Sequence, residues 1–75
     1  MAIAGATAKI SSEKAISELE SISGVSLEGK SPNGELILLI EAENLNELHK
    51  TCLELEKLNG VLGIYPSYVT TEDEQ

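Results

Sequence analysis

Apolar and polar positions along the chain change their period several times, and each change marks an element. Ala2 to Lys9 is small and apolar and ends where Lys9, Ser11 and Ser12 announce a turn. Ala and Gly are poor strand formers, so context carries the reading of this segment as a first strand. Ser11 then offers an N-cap with Glu13 near the positive end of a helix dipole, and Ala15, Ile16, Leu19 and Ile22 recur at helical spacing. Gly24 supplies a stop, after which Val25 and Leu27 alternate with Ser26 and Glu28 as a second strand.

Lys30-Ser31-Pro32-Asn33-Gly34 has the composition of a tight turn, with Pro fixing φ and Asn-Gly tolerating positive φ, so its flanks should form a hairpin. Glu35 to Ala42 contains the continuous run Leu36-Ile37-Leu38-Leu39-Ile40, the pattern of a central strand covered on both faces. Asn44 and Glu47 have capping-box spacing, and Leu45, Leu48, Cys52, Leu55 and Leu58 follow along one helical face. Asn59-Gly60 ends that helix and Val61 to Val69 forms the last strand. The terminal residues, 71–75, read as a flexible acidic tail behind a single domain spanning 1–70.

The order βαββαβ predicts an α+β, ferredoxin-like sandwich: a four-stranded antiparallel sheet with both helices on one face and the other face open. If Leu36, Leu38 and Ile40 point at the helices, Ile37 and Leu39 point away from them, with Glu41 on the same open side near its edge. Pro66 cannot donate a ladder hydrogen bond, so the last strand should be an edge there or carry a bulge.

Composition narrows what such a domain can do. Seventy-five residues suffice for one small core, and with no Trp or Phe and only two tyrosines that core must be aliphatic. Thirteen acidic residues against five lysines and no arginine give a formal charge of −8, which repels phosphate backbones and anionic lipid. Nucleic acid and membrane are therefore poor partners; the same field would attract a basic one, although plain solubility is the commoner reason for such a charge. The lone Cys52 falls on the buried helical stripe and reads as a small core hydrophobe, His49 has no second ligand at metal spacing, and no nucleophile triad or phosphate loop is present. These features argue against an enzyme, a metal or a cofactor. A single cysteine and the lack of a secretory or membrane-spanning pattern point to the cytoplasm.

Three stretches in combination resemble the NapD family: Gly24-Val25; Ser31-Pro32-Asn33-Gly34 running through Leu36–Ile40 to Glu41-Ala42-Glu43; and Leu58-Asn59-Gly60-Val61-Leu62-Gly63-Ile64-Tyr65-Pro66-Ser67-Tyr68-Val69. The resemblance spans Lys9 to the C-terminus, and the first strand is richer in Ala and Gly than the Val-rich strand of that family. It implies a ferredoxin-like fold and a cytoplasmic chaperone of periplasmic nitrate reductase maturation. Such a chaperone binds the twin-arginine signal peptide of the molybdenum-containing nitrate reductase precursor and delays export until the cofactor is inserted. On that reading Ile37 and Leu39, with Gly5 and Thr7 on the neighbouring strand and Tyr65 on the last, contact the peptide. Glu28, Glu41 and Glu43 are the carboxylates available to its arginines. A dimer that covers this face with a second copy of the chain predicts the same apolar surface, and a rival reading is a small oligomeric ligand-binding module of the amino-acid-sensing type, with its ligand site between chains.

Overall fold

The computed structural model describes residues 1–71. The elements run β1 (Ala2–Ile10), α1 (Lys14–Glu20), β2 (Val25–Lys30), β3 (Leu36–Ala42), α2 (Leu45–Glu56) and β4 (Val61–Thr71). They form one sheet of order β2-β3-β1-β4 in which every neighbouring pair is antiparallel. Helix α1 lies over β2, and α2 lies over β1, β3 and β4. This is the ferredoxin-like α+β arrangement that the periodicity predicts.

The core sits between the sheet and its helices and is aliphatic throughout. Leu36, Leu38 and Ile40 of β3 are buried, as are Ala2, Ala4, Ala6 and Ala8 of β1, and they meet Leu19 of α1 and Leu48 and Leu55 of α2. Alanine at alternate positions of β1 lets the helices approach the sheet closely. That explains a strand with poor intrinsic propensity: tertiary packing, not local preference, holds it.

The turns follow their chemistry. Gly34 N–H donates to the Ser31 carbonyl at 2.9 Å and Ser31 N–H to the Glu35 carbonyl at 2.8 Å, and within this turn Gly34 is the residue that takes positive φ. At α2, Glu47 N–H donates to Asn44 Oδ1 at 2.9 Å, while the Glu47 carboxylate turns to Lys50 at 3.5 Å.

Four expectations need correction. Helix α1 begins at Lys14 with Glu13 at its N-cap and no side-chain cap. Ser11 instead ties the α2–β4 turn, donating its N–H to the Gly60 carbonyl at 2.7 Å. β3 is covered on one face only, since Ile37 stays exposed and Leu39 is half-buried. Leu45, assigned to the buried stripe of α2, is 42% exposed. β4 also runs to Thr71, two residues beyond the expected end, and the remainder of the expected tail, 72–75, lies outside the described residues.

Candidate functional site

The helix-free face of the sheet is built by strand parity. Antiparallel register places Leu39 between Ser26 and Gly5, and Gly5 opposite Tyr68. One row along, Ile37 lies between Gly29 and Thr7, and Thr7 opposite Tyr65; the next row in the other direction is Glu41, Ile3 and Thr70. Side chains directly opposite one another share a face, so these rows form a continuous surface with Ile3, Ile37 and Leu39 at its centre. Ile37 retains 38% of its surface, and Ile3 and Leu39 are half-buried.

Tyr68 joins this face through a defect in β4. Positions three apart in a regular strand project to opposite sides, yet Tyr65 pairs with Thr7 and Tyr68 with Gly5. A register shift between Gly5 and Ala6 leaves Ser67 as an extra residue beside Pro66, and the resulting bulge brings both tyrosines to the same side. Pro66 accordingly lies in an edge strand and beside a bulge. A glycine underlies each ring. A Cβ on Gly5 would fall 2.8 Å from Tyr68 Cζ, and one on Gly63 would fall 2.5 Å from the Tyr65 hydroxyl oxygen. Tyr68 thus covers Gly5, which is buried although it faces away from the helices.

The charged rim is uneven. Glu41 is exposed on the open face at the end of β3, and Glu28 is the extra residue of a bulge in β2, on the open side of Leu27 by alternation. Glu43 lies beyond the end of β3, outside the paired rows of the face, and lines a groove with Glu47, Thr51 and Glu54 of α2 that Glu41 also borders. Neither β1 nor β4 contains an acidic residue, and Lys9 stands on the open face opposite Gly63. The structure therefore brings together Gly5, Thr7, Ile37, Leu39, Tyr65, Glu28 and Glu41, and leaves Glu43 beyond the end of β3.

Chemistry elsewhere is sparse. An apolar groove of about 610 Å³ opens between α2 and β4 on the helix side, where Leu45, Leu53, Pro66 and Val69 line it with Cys52 and His49. Burial pushes the Cys52 thiol above its ordinary pKa and the Glu56 carboxylate pushes the same way, the opposite of what activates a nucleophile. Among the described residues no three His, Cys, Asp or Glu side chains cluster as metal ligands, and no helix is long and apolar enough to cross a membrane.

Sequence reasoning missed two members of the face. Ile3 has the parity of Gly5 and Thr7 and was legible from alternation. Tyr68 was not reachable by counting, because the bulge reverses parity after Pro66; the available signal was Pro66 itself, within a strand and flanked by two aromatics.

Comparison with known proteins supports the fold. The solution structure of the E. coli Tat proofreading chaperone protein NapD is similar in fold, with a TM-score of 0.78 at 23% sequence identity over 97% of this chain and 81% of that one. No curated protein matches the chain. The model of the NapD protein family matches residues 6–73, nearly the whole sequence, and the chain therefore belongs to the NapD family.

Proposed function

We propose that the protein is a cytoplasmic assembly chaperone that binds the twin-arginine signal peptide of a nitrate reductase catalytic subunit, delaying export until the molybdenum cofactor is inserted. The observation that carries this reading is the uncovered apolar face: Ile3, Ile37 and Leu39 lie in the middle of a sheet whose opposite side packs against both helices. Membership of the NapD family supplies the class of partner. The charge of −8, with Glu28 and Glu41 at the margin of the face, suits a basic peptide.

The mechanism is sequestration. The apolar stretch of the leader covers Ile37, Leu39 and Ile3 while the acidic margin attracts its positive charge, and the bound leader is hidden from the export machinery. Covering apolar surface yields about 25 cal/mol per Å². Exposed carboxylates add on the order of 1 kcal/mol or less per pair and are screened by salt. The apolar contacts therefore supply most of the affinity and the charges supply encounter rate and orientation.

Calorimetric titration of a synthetic twin-arginine leader tests the reading. The expected result is a Kd of about 1 µM or tighter, equivalent to about 8 kcal/mol. Ile37→Asp, which sets a charge at the centre of the face without touching the core, should weaken binding at least about tenfold, and an Arg-to-Gln leader should also bind more weakly. A well-folded protein that shows no heat with several leaders would refute the proposal.

A further inference from the structure

Tyr65 and Tyr68 are the only aromatic residues of the chain, and the β4 bulge is what places both on the open face. Their partners Thr7 and Gly5 are two residues apart on β1, so their attachment points stand roughly 7 Å apart along the sheet. Each ring is seated over a glycine, where any larger residue would displace it. Yet Tyr65 retains 52% and Tyr68 53% of its surface. The pair is thus a platform seated on the sheet beneath and open to solvent above.

This platform occupies the half of the face that has no carboxylate. Glu28 and Glu41 belong to β2 and β3, whereas β1 and β4 contain no acidic residue. Exposed carboxylates attract any cation and discriminate poorly between them, because both partners stay hydrated. An aromatic ring discriminates better. A guanidinium is planar and weakly hydrated and stacks on a ring face, while an ammonium is a compact, strongly hydrated point charge.

The geometry points to Tyr65 and Tyr68 as specificity residues that select arginine over lysine in the bound leader, by stacking its guanidinium groups on the solvent side of their rings. The inference rests on the leader-binding reading and deepens it: Ile37 and Leu39 hold the leader, Glu28 and Glu41 attract it, and the tyrosine pair identifies it.

The test compares the affinity of one leader in its Arg-Arg and Lys-Lys forms for the wild-type protein, for Tyr65→Leu/Tyr68→Leu and for Tyr65→Phe/Tyr68→Phe, with circular dichroism to confirm that each protein is folded. Wild type should favour Arg-Arg about three- to tenfold, the range expected for cation–π contacts. The Phe pair should keep that ratio because it keeps the rings, and the Leu pair should bring it close to one. The single Leu variants serve if the pair fails to fold and should each lower the ratio. A ratio that survives in the Leu variants, or a wild-type protein that binds both leaders equally, would overturn the assignment while leaving leader binding intact. Failure of the wild type to bind any leader would overturn the underlying reading and the assignment with it.

Discussion

Single residues decide how the open face is finished. Gly5 gives up a side chain so that the Tyr68 ring can cover the strand, an arrangement in which an aromatic compensates for the weakness of glycine in a sheet. Gly5→Ala should therefore dislodge the Tyr68 ring while changing global stability by no more than about 1 kcal/mol, since the displaced group is the end of an exposed side chain. Tyrosine emission reads this directly, because the chain has no Trp and both tyrosines lie on the face. Cys52 is decided by its surroundings in the opposite sense. A thiol whose pKa is raised by burial and by Glu56 is less ionised at any given pH than a free cysteine. Its reaction with a disulfide reagent at pH 7 to 8 should be slower than that of a model thiol, and its pH–rate profile should be displaced to higher pH. A faster reaction at pH 7 would contradict this environment. The assignment of Cys52 to the helical stripe was legible in the sequence; the position of Tyr68 was not, since a bulge is a property of two paired strands.

Elements show the same division between local and non-local causes. The 31–34 turn and the Asn44 cap were legible because each is made by residues a few positions apart, and both form as their chemistry requires. Asn44→Ala should cost about 1 kcal/mol in a denaturant titration through loss of the bond to Glu47 N–H. The start of α1 was not legible, because Ser11 finds its partner at Gly60, 49 residues away. Parity along β3 was legible once the topology was known: Leu36, Leu38 and Ile40 face the helices and Ile37 and Leu39 do not. Leu38→Ala should thus cost about 2–5 kcal/mol by opening a cavity in a core that has little to spare. Ile37→Ala should cost much less in stability and should register mainly in leader binding. The continuous apolar run of β3, which suggested cover on both faces, leaves Ile37 and Leu39 on the uncovered side, where the proposed leader would lie.

At the scale of the whole molecule, the chain packs one side of its sheet and leaves the other uncovered. The Cα envelope is only 15 Å through its shortest dimension, one sheet and one layer of helices, so the entire core lies on one side of the sheet. What remains on the other side is a surface of apolar, aromatic and acidic groups set by strand parity and one bulge. Leader affinity should fall several-fold between about 50 and 300 mM salt without vanishing, as screening removes the contribution of Glu28 and Glu41 but leaves the apolar contacts. Composition alone made the acidic character legible, and with it the expectation of a basic partner. It could not distinguish the open face from the groove between α2 and β4, which only the folded arrangement of Leu45, Leu53, Pro66 and Val69 creates. Amide resonances of the labelled protein, followed while an unlabelled twin-arginine leader is added, distinguish the two surfaces directly. Shifts should concentrate at Ile3, Gly5, Thr7, Ile37, Leu39, Tyr65 and Tyr68, whereas shifts confined to Leu45, Leu53 and Val69, or none at saturating leader, would contradict binding on the open face.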